Sequence, residues 1–215
     1  MIELAAKSAL AYLIGTIMGG TVIGWLRGGV DLRQLGSGNI GATNALRTQG
    51  KGFALAVLLL DAGKGVLAAL ALPALNWPWA GASTLSRESL AYVCGVAVAL
   101  GHIYPVWFRF RGGKGVATLT GVFGALIMTA LPWMLVAFAL TVLLTGYVGL
   151  ASVFGALTAA IYVGFGPGLA TPAGLFTLAM AGLVVFKHRD NLRRVFLGTE
   201  PRFERARVLG RWLDR

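Results

Sequence analysis

The sequence predicts an all-α protein, a polytopic bundle of seven transmembrane helices with the N-terminus outside and the C-terminus cytoplasmic. Three observations predict it. Of 215 residues, 57% are hydrophobic and 13% charged, with a mean hydropathy of +0.75, whereas a soluble domain keeps about a quarter of its residues charged. So few charges cannot cover a water-facing surface, and lipid must cover most of it. Residues 115–186 hold no acidic, basic or histidine side chain. The basic residues beside that stretch lie in blocks: Arg27, Arg33, Arg47 and Lys51; then Arg109, Arg111 and Lys114; then the run from Lys187 to Arg215.

Positive-inside logic places all three blocks in the cytoplasm, and two points on one side are joined by an even number of spans. The first span covers 3–26. Glu3 precedes Lys7 and no basic segment leads the apolar run, so it does not read as a cleaved signal. Spans 53–75 and 89–108 follow, separated by Asn76-Trp77-Pro78-Trp79, whose tryptophans suit an interface, and by the polar Ser83 to Ser89. Between Lys114 and Lys187 two spans leave too much apolar chain unused, and four of about 18 residues fit. Their expected breaks lie near Leu131-Pro132, Gly149 and Gly166-Pro167-Gly168. Of the nineteen basic residues, only Lys7, Lys64 and Arg87 then fall off the cytoplasmic face. One domain covers 1–215, without internal repeats.

The net charge of +11 does not indicate nucleic acid, because the basic blocks flank apolar spans and suit insertion and anionic membrane lipid. Cys94 is the sole cysteine, which excludes an intramolecular disulfide and a cysteine metal cluster. The acids are dispersed and the two histidines lie far apart in sequence, so no metal and no cofactor is expected.

Three segments hold most of the polar residues, all at predicted cytoplasmic helix ends. The first is Gly36-Ser37-Gly38-Asn39-Ile40-Gly41-Ala42-Thr43-Asn44, with Arg47. Its G-x-G-x-x-G spacing does not mark a dinucleotide site, which needs a preceding strand and a soluble βαβ unit. It reads instead as a tight glycine loop. Its backbone N–H groups, Ser37, Thr43, Asn39 and Asn44 can converge on an anion, with Arg47 as counter-charge. The alternative is an ordinary polar membrane loop. The second runs from Gly101 and His102 to Gly112-Gly113-Lys114-Gly115 at the start of a helix. It offers backbone donors, an ammonium and a helix dipole to one anion. Gly115 stands where a Walker A loop needs Ser or Thr, so phosphate without nucleotide is the better inference, beside a plain basic turn. The third is Lys187-His188-Arg189-Asp190-Asn191, continuing to Gly198 and Glu200. If the seventh helix continues, His188 and Asn191 share a face, and His188 is a base, an orienting group, a phosphate contact or a structural residue. Asp61 and Lys64 stand apart. Spaced i, i+3 on the second span and about 12 Å into the membrane, they can pair, for structure or for function.

In SGNIGATNALR, GHIYPVWFRFRGGKGVAT and KHRDNLRRVFLGTE the chain resembles the bacterial acyl-phosphate:glycerol-3-phosphate acyltransferases, the PlsY family. The resemblance implies transfer of a fatty acyl group from long-chain acyl phosphate to the sn-1 hydroxyl of glycerol 3-phosphate, giving lysophosphatidic acid and phosphate for phospholipid synthesis. It implies an enzyme of the bacterial inner membrane, facing the cytoplasm, that meets the upstream acyl-phosphate-forming enzyme only transiently. By position, Arg47 and Lys114 hold phosphate and Ser37, His188 and Asn191 line the reaction centre. The remaining binding set is Gly38, Asn39, Thr43, Asn44, His102, Gly112, Gly113 and Glu200. Neither histidine has an aspartate five residues on, so the His-Asp pair of the commoner glycerolipid acyltransferases is absent. A transporter would instead place binding groups near the bilayer midplane, often in repeats. A non-catalytic anion sensor is the other alternative.

Overall fold

The computed structural model describes residues 2–77 and 85–213. Pro78, Trp79 and Ser83 of the predicted interfacial loop lie outside the described residues, as do Asp214 and Arg215 of the basic tail. Among the described residues there are helices and no strand. The chain forms two compact units, Met1–Leu126 and Ile127–Arg215.

In the first unit, α1 (Ile2–Thr16) and α2 (Gly19–Leu26) lead through a loop to the short α3 (Ala42–Gln49). Then come α4 (Lys51–Ala74), α5 (Arg87–Ile103) and α6 (Val116–Leu126). Helix α4 packs against α1, α2, α3, α5 and α6, and α1 packs along α5. The α1–α5 crossing is close because Gly15 and Gly101 face each other, and a Cβ on either would collide with a carbonyl of the opposing helix. Small residues let helix backbones approach where lipid supplies no hydrophobic drive.

The expected single span 3–26 is two helices bent by 45°. The break falls at Ile17-Met18, just before Gly19-Gly20. A broken helix inside a bilayer leaves amides and carbonyls without water, so something must satisfy them. Asp61 and Lys64 do this. The Gly19 amide donates to Asp61 Oδ1 at 3.0 Å, and Lys64 Nζ donates to the Ile17 carbonyl at 2.7 Å.

In the second unit, α7 (Leu131–Thr145), α8 (Val148–Phe165) and α9 (Pro172–Lys187) are followed by α10 (Arg189–Phe196) and α11 (Val208–Leu213). Helix α8 packs against α7, α9 and α10, and α11 lies on α7. Helix α9 starts where Thr171 caps the Gly174 amide at 3.1 Å ahead of Pro172. Helix α7 ends at Gly146, whose φ of +75° is open to glycine at little cost. The second break, expected near Gly149, therefore falls at Gly146-Tyr147, and Gly149 itself lies inside α8.

Helices α4, α5 and α8 are long and apolar enough to cross a bilayer, and the bent α1–α2 pair makes a fourth if it is one span. Helices α6, α7 and α9 have 11, 15 and 16 residues, shorter than the spans expected, because glycine and proline breaks consume the chain between them. At 1.5 Å per residue α6 is about 16 Å long, against a hydrocarbon core of about 30 Å. Leu55, Leu59, Leu67 and Leu70 of α4 are exposed, and α7 has no buried residue while Trp133, Val136 and Leu140 face outward. Apolar faces of this extent suit contact with lipid.

Candidate active site

The loop that leads into the first polar segment starts with Asp31, whose carboxylate accepts from the Arg33 amide at 3.0 Å and from Arg33 Nε at 2.9 Å. The Arg33 guanidinium holds that carboxyl below the usual carboxylate range. Arg33 also lies over the Phe108 ring, 5.0 Å from its centroid, which ties the first segment to the second. The loop then turns at Gly36 and Gly38, with φ of +55° and +71°. Its hub is Asn44, on α3 and 1% exposed. Asn44 Oδ1 accepts from the Ser37 amide at 3.0 Å, and Nδ2 faces the carbonyls of Leu32, Leu35 and Asn39 at 3.1, 2.9 and 2.8 Å. Asn44, expected among the anion-binding groups, thus spends its amide on the loop's own backbone. Ser37, Gly38 and Arg47 are exposed around it, and Asn39 and Thr43 are half-buried. Gly41 caps α3 with no side-chain hydrogen bond, so the opening amides of α3 have no side-chain acceptor from the cap.

The second segment folds back over the end of α5. The Gly112 and Gly113 amides each donate at 3.1 Å, to the carbonyls of Ile103 and His102. Tyr12 Oη donates to the Tyr104 carbonyl at 2.7 Å and Trp107 Nε1 to Thr16 Oγ1 at 3.0 Å, fixing the turn to α1. Lys114 is half-buried at its tip. Gly115, with φ of +79°, turns the chain into α6. His102, expected at the substrate, is 3% exposed. Its Nδ1 lies 2.8 Å from Lys64 Nζ, and Lys64 in turn pairs with Asp61 at 2.8 Å. The sequence pairing of Asp61 with Lys64 is present. The third member, thirty-eight positions on, carried no periodic signal.

The third segment belongs to the second unit. The continuous helix expected through His188 is interrupted there: α9 ends at Lys187 and α10 begins at Arg189, with His188 at φ −104° and ψ 6° between them. His188 is 3% exposed, and its Nδ1 lies 2.8 Å from the Val184 carbonyl. A carbonyl only accepts, so Nδ1 carries the proton and Nε2 is the basic nitrogen of the neutral ring. Asn191 Nδ2 donates to Glu200 Oε1 at 2.6 Å, and Arg194 Nε donates to Glu200 Oε2 at 2.7 Å. Both Glu200 oxygens are thereby engaged in orienting their neighbours. Asn191 lies against Gly149, where a Cβ would stand 2.9 Å from the asparagine Cβ. Gly149→Ala should lower thermal stability by about 1–3 kcal/mol through overpacking and depress turnover by shifting Asn191; a melting curve and an assay of the folded protein check both.

A cavity of about 420 Å³ lined by Trp133, Thr158, Ile161, Tyr162, Phe165 and Gly166 holds none of the predicted site residues. Among the described residues no three His, Cys, Asp or Glu side chains gather as a metal site would require.

Relatives supply the identification. The family model described as glycerol-3-phosphate acyltransferase matches residues 5–198. A glycerol-3-phosphate acyltransferase from Anaeromyxobacter sp. (strain Fw109-5) is 41% identical over 198 residues, 90% of this chain and 93% of the relative. One from Roseobacter denitrificans is 41% identical over 205 residues, 93% and 94% of the two chains. Two crystal structures of PlsY, an integral membrane glycerol 3-phosphate acyltransferase, are similar throughout. The glycerol 3-phosphate form has a TM-score of 0.81 and 34% identity, covering 93% of this chain and 95% of that one. The lysophosphatidic acid form has 0.82 and 33%, covering 96% and 98%. With all three polar segments inside or overlapping the matched range, and with lipid-facing helices around them, the chain belongs to the PlsY family of integral membrane glycerol-3-phosphate acyltransferases.

Proposed function

We propose that the protein moves a fatty acyl group from acyl phosphate to the sn-1 hydroxyl of glycerol 3-phosphate, as one multi-pass domain of the bacterial cytoplasmic membrane. Seven crossings put all three polar segments on the cytoplasmic face, where glycerol 3-phosphate arrives from solution and the acyl chain from the bilayer. The observation that carries this reading is the first unit's pairing of two glycine-rich cationic segments through Arg33 and Phe108. Both substrates bear phosphate, and each segment sets a cation beside a glycine turn, Arg47 in one and Lys114 in the other.

Acyl phosphate is a mixed anhydride and needs no covalent enzyme intermediate. The glycerol hydroxyl oxygen attacks the acyl carbonyl carbon, the carbon–oxygen bond to phosphate breaks, and phosphate leaves with that bonding pair. The hydroxyl proton passes to a phosphate oxygen while His188 Nε2 orients the hydroxyl, or it passes to His188 Nε2 itself. Ser37 and Asn191 line the reaction centre in this reading, and Arg47 and Lys114 neutralise the phosphate charge. Positioning and charge neutralisation supply most of the acceleration. Asn44 and Glu200 act in this reading through the groups that they orient.

The test incubates purified protein with labelled glycerol 3-phosphate and palmitoyl phosphate. Lysophosphatidic acid and phosphate should form in equal amounts without acyl-CoA. No product until acyl-CoA is added would refute the donor, and an acyl group trapped on Ser37 would refute direct attack.

A further inference from the structure

The buried cluster in the first unit has more order than an ion pair needs. Lys64 Nζ meets three acceptors at nearly equal range: Asp61 Oδ1 at 2.8 Å, the Ile17 carbonyl at 2.7 Å and His102 Nδ1 at 2.8 Å. An ammonium has three N–H donors and no acceptor. All three are used, so His102 Nδ1 accepts, and the ring is neutral with its proton on Nε2. The competing arrangement, Nδ1–H donating to Asp61 Oδ1, has the longer separation of 3.4 Å.

Nε2 points at the second polar segment. A Cβ on Gly113 would collide with it, and the Gly113 amide is bonded to the His102 carbonyl. Ring and backbone of one residue therefore grip the same glycine. Nε2 thus directs its N–H at the face of Gly113 that the missing Cβ leaves open, where an anion can accept it.

We propose that Asp61 and Lys64 are positioning residues for the Gly112-Gly113-Lys114 loop, acting through His102, which presents a neutral Nε2–H donor at Gly113 to the phosphate bound there. This rests on the phosphate-binding reading of that loop. The pair does two jobs in one place: it seals the break between α1 and α2, and it sets the tautomer of the ring behind the loop.

Three measurements test it. In the 15N spectrum of the imidazoles, only two histidines contribute, and the His102→Gln difference assigns His102; its Nδ1 should be the unprotonated nitrogen, and a protonated Nδ1 overturns the proposal. His102→Phe should raise the KM for glycerol 3-phosphate about tenfold or more, the loss of one charge-assisted hydrogen bond at 1.4 kcal/mol per decade, with kcat nearly unchanged. His102→Gln, whose amide N–H falls near the lost Nε2–H, should recover most of that KM. The paired change Asp61→Asn with Lys64→Met removes both charges together, which buried pairs tolerate better than the loss of one partner. It should raise KM as His102→Phe does. A lowered melting temperature with unchanged KM in these variants would make the cluster structural only and overturn the proposal. Titration with inorganic phosphate, without acyl donor, separates the two readings. Wild-type protein that binds phosphate but makes no lysophosphatidic acid refutes acyl transfer, while weaker phosphate binding by His102→Phe still supports the positioning role.

Discussion

His188→Ala should lower kcat by about two to four orders of magnitude, the range of a positioned acid–base or orienting group, and leave the KM for glycerol 3-phosphate within a few fold. The ground is the ring's orientation. His188 closes α9 at a junction, is 3% exposed, and fixes Nδ1–H on the Val184 carbonyl at 2.8 Å. Nε2 is then the ring nitrogen whose chemistry is to accept a proton or a hydrogen bond from a hydroxyl. His188→Gln decides between the two proton routes. Turnover near that of the wild type would mean that a phosphate oxygen takes the proton and His188 orients. Turnover as low as that of alanine would mean that His188 takes it. An equal loss in KM and a drop in melting temperature, with kcat of the folded fraction intact, would refute both roles. Single-turnover assays on the folded fraction measure this directly.

The all-helical membrane class was legible because a bilayer-exposed chain has few alternatives: its apolar residues must form helices. The breaks at Leu131 and after Phe165 followed from proline and glycine, whose backbone effects are local. Gly149 misled for a different reason. Its missing Cβ serves a close approach by Asn191, and sequence alone cannot separate a glycine kept for a turn from one kept for packing. The bend at Ile17-Met18 was illegible as well. No proline marks it, and it exists because Asp61 and Lys64, two helices away in sequence, satisfy the opened backbone.

The candidate site was legible in its chemistry more than in its wiring. Polar residues are so scarce here that their clustering singled out the segments that hold Ser37, Arg47, Lys114, His188 and Asn191, while the roles of those five are what the family resemblance implies. Which polar side chains face a ligand and which hold the frame is a matter of hydrogen-bond partners, and those depend on tertiary contacts. Asn44, His102 and Glu200 were read with the binding residues, and neighbours engage polar atoms of each: loop carbonyls the Asn44 amide, a buried ammonium Nδ1 of His102, and the pair Asn191 and Arg194 both oxygens of Glu200. Arg33 entered only as a member of a basic block, and Tyr12 and Thr16 drew no notice, because one-letter patterns do not show a stacked guanidinium or a hydroxyl that reaches across helices.

Asn44 gives the sharpest test of that distinction. Its side chain bonds with four backbone positions between Leu32 and Asn39, and Gly36 presses against it so closely that a Cβ there would collide with Oδ1. Asn44→Ala strands the Ser37 amide and the loop carbonyls, at about 1–3 kcal/mol for each group that water cannot reach. The expected result is loss of most glycerol 3-phosphate-dependent turnover, with a melting temperature lowered by a smaller relative amount, because the helices around the loop keep their own packing. Asn44→Asp should be worse than alanine. It keeps the acceptor for the Ser37 amide but turns a second oxygen toward the carbonyls of Leu32, Leu35 and Asn39, where a donor is required. Only the amide has both polarities in the right places. If the residue touched substrate instead, aspartate would repel phosphate and raise KM while the loop stayed ordered; hydrogen exchange of residues 32–41 separates these outcomes. Faster exchange in both variants supports the hub, and wild-type exchange with raised KM would return Asn44 to the binding surface.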